Sequence, residues 1–132
     1  MVIDTSAFVA ILRPEPEAVE FAEILAFSDE RHVTSAVTLI EAGLVLSREE
    51  LDLLAHRLIP QLRISIISFD ENLANIAIDA AHRYGKGRGG KAQLNFGDCC
   101  VYATAKALRM PLLFKGSDFL HTDIEPARPM QR

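Results

Sequence analysis

Four short runs rich in β-branched and large apolar residues, "MVI", "RHVTS", "RISIISF" and "PLLFKG", are separated by stretches whose apolar residues recur at helical spacing. Strands joined through helices pair in parallel, because a tight hairpin cannot connect them, and the helices then cover both faces of the sheet. This alternation predicts an α/β fold of three α/β/α layers around a central, mainly parallel sheet. At 132 residues the chain suits one core, expected over residues 1–124, with a loose tail at 125–132 because "EPARPMQR" has no periodicity. The first helix is expected to be capped by Thr5 or Ser6, and the second to bury Val19, Ala22, Ile24 and Leu25. Ser47-Arg48-Glu49-Glu50 reads as a capping box opening a fourth helix with Leu51, Leu54, Ala55 and Leu58. Asp70 starts a further helix, and a last short strand is expected near Thr122–Ile124.

Composition narrows the function classes. A formal net charge of −4 argues against binding nucleic acid by bulk attraction alone. Charge is nevertheless concentrated in "RYGKGRGGK", which holds four basic residues, four glycines and no acid. Lys86, Arg88 and Lys91 there are candidate anion contacts, although a solvated connection has the same composition. The apolar start of the chain has no basic leader and is broken by Asp4, and no run of 18 apolar residues occurs, so a cytoplasmic protein without a membrane span is expected. Cys99 and Cys100 are neighbours in one helix and cannot staple distant elements.

The acids carry the chemistry. In "NFGDCCVYATAKAL", Asp98 precedes Val101, Tyr102 and Ala105 by three, four and seven positions, which places a carboxylate on the buried stripe of a helix. Glu41 shares a helix face with Val37, Leu44 and Val45 in the same way. Asp4 ends the first strand and Asp118 follows a later one, at the sheet edge where parallel α/β folds bind ligands. Asp4 also suits a helix cap, Asp118 a turn and Asp98 a helix N-terminus, but Glu41 has no such excuse. Lys115 is the one basic residue flanking these motifs closely, too little charge for four carboxylates, so a divalent cation is the economical partner. An all-oxygen donor set points to Mg²⁺ or Mn²⁺. Zinc is disfavoured, because the four histidines lack ligand spacing.

The segments "MVIDTSAFVAIL", "TSAVTLIEAGLVL", "HRYGKGRGGKAQLNFGDCCVYATAKAL" and "PLLFKGSDFLHTDI", in this order over about residues 1 to 124, resemble the PIN domain, specifically the VapC toxins of type II toxin–antitoxin pairs. The resemblance implies a PIN-like fold and a metal-dependent endoribonuclease with Asp4, Glu41, Asp98 and Asp118 as metal-binding carboxylates. Thr5, Ser6 and Ser117 fall where that family places supporting polar residues. Ser117 stands where the family often has Asn, and Asp123 in "HTD" is a further candidate for a supporting role. The resemblance also implies a cognate antitoxin, a homodimer, and contact with operator DNA only through the antitoxin. In the mechanism it suggests, one ion is held by Asp4 and Asp98 with Glu41, a second lies near Asp118, and Lys86, Arg88 and Lys91 hold flanking RNA phosphates. Two other readings compete. One is a receiver-like signalling domain with Asp4 on Mg²⁺, Asp70 as phosphoacceptor and Lys115 contacting the phosphoryl group; the other is a PIN domain that only binds its partner.

Overall fold

Val2 and Ile3 form the short strand at the heart of the sheet, with a neighbour on each side. A computed structural model describes residues 1–48 and 53–127. In it β1 (Val2–Ile3), β2 (His32–Ser35), β3 (Ile64–Ile67) and β4 (Leu112–Leu113) make one sheet in the order β3-β2-β1-β4. Every pairing is parallel: Val2 lies opposite both Val33 and Leu112, and β2 runs alongside β3 from His32–Ile64 to Ser35–Ile67.

The helices are α1 (Thr5–Leu12), α2 (Ala18–Phe27), α3 (Ala36–Val45), a π-helical turn (Leu54–Leu58) running into α4 (Ile59–Gln61), α5 (Glu71–Tyr84) and α6 (Phe96–Leu108). Strand periodicity sorts the interior into two cores. Val2, Leu112 and Phe114 face one side with Leu73 and Ala80 of α5 and Val101 and Tyr102 of α6. Met1, Ile3 and Leu113 face the other with Phe8, Phe21, Leu25, Ala42 and Leu54. This alternation makes the expected three layers. Phe8 and Phe21 are fully buried, and each such side chain stabilises the fold by roughly 1.5–3 kcal/mol. No helix among the described residues is long and apolar enough to cross a membrane.

Several local expectations need correction. The cap of α1 is Asp4, whose carboxylate accepts the Ser6 N–H, rather than Thr5 or Ser6. In α2, Leu25 is buried and Ile24 packs against the core as expected, but Phe21 is buried as well and Val19 is 70% exposed, so the core face is centred away from Val19. On α3, Leu44 and Val45 are 72% and 44% exposed, and the helix buries Thr38 and Ala42 instead. The expected capping box at Ser47–Glu50 and its Leu51 extend outside the described residues. Beyond them Leu54 and Leu58 are buried as expected, but in a π-helical turn.

The chain end differs too. A 3₁₀ turn spans Asp118–His121, and residues 122–124 form no strand. The edge pairing falls slightly later, on residues expected to be loose: Leu112 N–H donates to Glu125 O at 2.9 Å and Ala127 N–H donates to Leu112 O at 2.8 Å. Pro126 sits opposite Leu112, where its missing N–H breaks no ladder bond.

Candidate active site

Asp4 lies just past the carboxyl end of the central strand. Its N–H is tied to Leu113 O at 3.0 Å, so the sheet fixes its backbone. Its Oδ2 accepts both the N–H of Ser6, at 3.1 Å, and the Ser6 hydroxyl. That hydroxyl in turn accepts the N–H of Lys115 at 2.9 Å, which links Asp4 to the end of β4. The carboxyl group is 5% exposed as a residue, and burial pushes its pKa up. The Ser6 bonds pull it back, and the Glu41 charge adds to the rise.

Glu41 projects from the middle of α3, half-buried, towards the start of α6. Thr5, the first residue of α1, donates its hydroxyl to Oε1 of Glu41. The carboxylate lies directly against Gly97, whose lack of a side chain leaves room for it.

Asp98 sits in the first turn of α6 and is half-buried. It forms a reciprocal capping box with Asn95: the Asp98 N–H donates to Asn95 Oδ1 at 2.9 Å, and the Asn95 N–H donates to Asp98 Oδ2 at 3.1 Å. Burial is the main cause that lifts its carboxyl pKa to about 6; the Asn95 bond opposes this, and the charges of Asp4, Asp118 and Glu41 reinforce it. Asp118 is exposed and opens the 3₁₀ turn after Gly116, which adopts a φ of 103°.

Asp98 thus senses the charges of the other three acids, while Asp4, Glu41 and Asp98 are each held by separate local bonds. Among the described residues no three Asp, Glu, His or Cys side chains stand together as a ready-made metal cage. Nor, among those residues, does an ion pair join a basic side chain to any of the four. Lys115 turns its ammonium away, to Glu15 at 3.3 Å and Glu17 at 3.1 Å. An uncompensated set of oxygen donors around a buried carboxylate fits a hard divalent cation.

The remaining candidates separate. Thr5 and Ser6 hold acids. Ser117 is exposed and makes no cap bond. Asp123 is engaged elsewhere, accepting the Tyr102 hydroxyl at 2.7 Å and the Lys106 ammonium, and so fastens the chain end to α6. Lys86, Arg88 and Lys91 are exposed on a loop pinched shut by Lys86 N–H to Leu94 O and Leu94 N–H to Tyr84 O, both 3.0 Å. Lys86 and Arg88 border an apolar groove of about 610 Å³ that reaches Asn95 and Phe96 at the start of α6. Asp70 caps α5 through the Leu73 N–H at 3.0 Å, beyond edge strand β3 and separated from β1 by β2. It cannot share a receiver-like site with Asp4. Burial pushes both thiols up, Cys100 to about 11, so neither offers a thiolate nucleophile. Asn95 and Gly97 are site residues the sequence reading passed over; the N-x-x-D spacing was the available signal for Asn95.

The chain is similar to known proteins over most of its length. The family model of the PIN domain matches residues 1–125. VapC ribonuclease Mb0625 of Mycobacterium bovis is 40% identical over 130 residues, covering 96% of this chain and 97% of that protein. Ribonuclease VapC30 of Mycobacterium tuberculosis is 42% identical over 131 residues, covering 94% and 95%. Among solved structures, a toxin–antitoxin complex from Klebsiella pneumoniae superposes with a TM-score of 0.71 at 18% identity, covering 98% of each chain. That last likeness is one of fold.

Proposed function

The chain belongs to the PIN-domain family, and we propose that it is the toxin of a type II toxin–antitoxin pair, a divalent-metal-dependent endoribonuclease restrained by a cognate antitoxin. The observation that carries this reading is the raised carboxyl of Asp98, lifted to about 6 by burial and by Asp4, Asp118 and Glu41, with no basic side chain paired to the set among the described residues.

Asp4, Asp98 and Glu41 would hold Mg²⁺ or Mn²⁺, with Asp118 at the edge for a second ion. Held there, such an ion would supply Lewis acidity for activating water near neutral pH and for offsetting charge on the phosphoryl oxygens. Ser6 keeps Asp4 oriented from the end of β4, and Thr5 does the same for Glu41. Lys86, Arg88 and Lys91 would bind RNA phosphates flanking the cut, in a loop whose Gly87 and Gly89 adopt φ of 87° and 85° that only glycine takes without strain. A homodimer in the cytoplasm, contacting operator DNA only through its antitoxin, completes the reading.

The test is to incubate the purified toxin and Asp98→Asn, freed of partner, with total bacterial RNA and Mg²⁺ or Mn²⁺, with EDTA as control, and to map the cut ends by sequencing. Discrete cuts bearing 5′-phosphate and 3′-hydroxyl ends, needing both metal and Asp98, are expected. Intact RNA with both proteins folded and metal bound would leave a PIN domain that only binds its partner.

A further inference from the structure

Gly97 is out of place by local rules. It lies in the first turn of α6, where its φ is not in the left-handed region that calls for glycine. An alanine there would favour the helix, because glycine gives up more backbone freedom on folding. Its reason must therefore be spatial. A Cβ built on Gly97 would meet Glu41 first and most severely: Oε2 at 1.9 Å, Cδ at 2.7 Å and Oε1 at 2.9 Å. All three nearest atoms belong to the tip of one flexible side chain on another helix.

Gly85 shows the contrast. A Cβ there would lie 2.3 Å from the backbone oxygen of Ala81, within the preceding helix, so that glycine serves the fold itself. At Gly97 the nearest atoms belong to a side chain. The carboxylate of Glu41 is instead clamped between the Thr5 hydroxyl, which donates to Oε1, and the bare Cα of Gly97. Because Glu41 is only half-buried, a side chain at position 97 would push it out while the helices stay packed.

We propose that Gly97 is a positioning residue for Glu41: the space left by its missing side chain seats the Glu41 carboxylate in the acidic site, and any larger residue displaces it. The proposal rests on the reading of Glu41 as part of the metal-binding set.

The experiment compares the wild type, Gly97→Ala, Glu41→Ala and the double variant, each purified as the intact toxin without antitoxin. Mn²⁺ affinity is measured by calorimetry, together with thermal midpoint and RNA cleavage. Gly97→Ala is expected to weaken Mn²⁺ binding and cleavage by about 10–100-fold, with a midpoint no lower than that of the wild type. In the Glu41→Ala background the same substitution should add nothing, the signature of action through one partner. A second pair guards against misfolding: Gly97→Ala placed on Glu41→Asp, whose shorter side chain leaves room for the new methyl, should retain the affinity of Glu41→Asp alone. The proposal is overturned by equal losses from Gly97→Ala with and without Glu41, or by unchanged affinity and cleavage in Gly97→Ala while Glu41→Ala lowers both. If Glu41→Ala itself changes neither, the metal-binding assignment of Glu41 falls first and the proposal with it.

Discussion

The backbone N–H of Lys115 donates to the hydroxyl of Ser6 at 2.9 Å, joining residues 109 positions apart. The same hydroxyl donates to Oδ2 of Asp4, so its single proton is committed to the carboxylate. Removing it in Ser6→Ala leaves the Lys115 N–H without its acceptor and Asp4 with its backbone donor from Ser6 but no hydroxyl donor. A stability loss of about 1–3 kcal/mol is expected, read as a lower thermal midpoint. Because the Ser6 bonds lower the Asp4 carboxyl, its pKa should also rise further. The acid limb of the cleavage profile should then move to higher pH; a limb that stays in place with a lowered midpoint would reduce Ser6 to a fold residue.

Asp98 makes metal-free stability depend on pH in a direction opposite to that of most carboxylates. Burial, with the neighbouring acids, raises its folded pKa from 3.8 to about 6. The folded state therefore holds this proton more tightly than the unfolded chain, and stability falls as pH rises from about 4 to about 6, then levels. After allowance for partial exposure the loss is on the order of 1–2 kcal/mol. Asp98→Asn, whose amide oxygen still accepts the Asn95 N–H, should lose the Asp98 part of this slope, keeping only what buried Asp4 contributes, and, without metal, be the more stable protein at pH 7. Denaturant titrations at pH 4 and 7 in EDTA measure it, and parallel slopes for the two proteins would show that Asp98 is not strained by its setting.

Much of this was legible in the chain. The alternation of strands and helices dictates the parallel sheet, and Asp4 lies just past the carboxyl end of its central strand, as its place in the pattern requires. What failed was local competition between equivalent polar groups. Asp4, Thr5 and Ser6 all suit a helix cap, and Asp4 takes it because the sheet holds it in the extended conformation, with φ −80° and ψ 157°, that a cap residue needs. The box between Asn95 and Asp98 is hidden from helical spacing, which places Asp98 on the buried stripe but not its local partner. Leu44 and Val45 look like core from spacing alone, since periodicity identifies a face but not what covers it. Gly97 was invisible, because its neighbour Glu41 comes from a separate helix.

Asp123 tests whether a carboxylate near the site belongs to it. Its bonds to Tyr102 and Lys106 fasten the segment after the 3₁₀ turn onto α6. Its side chain is 38% exposed, so the Lys106 pair adds little, and the Tyr102 bond carries most of the effect. Asp123→Asn should cost about 1 kcal/mol in chemical denaturation and leave Mn²⁺ affinity unchanged. A weakened Mn²⁺ affinity in this variant would make Asp123 a supporting residue of the metal site.

The basic loop has the opposite profile, binding without stability. Lys86, Arg88 and Lys91 are exposed, and no ion pair among the described residues engages them. Replacing all three with Gln should leave the thermal midpoint and Mn²⁺ affinity where they were. RNA binding should weaken, and more so at low salt, because each phosphate contact to a single strand contributes about 0.7 to the slope of log affinity against log salt. Loss of three contacts therefore flattens that slope by about two. The measurement is a salt series of RNA-binding titrations in Ca²⁺ or EDTA, conditions chosen to slow cleavage. A slope unchanged by the triple substitution would show that the loop is only a solvated connection between α5 and α6, and that phosphate is held elsewhere.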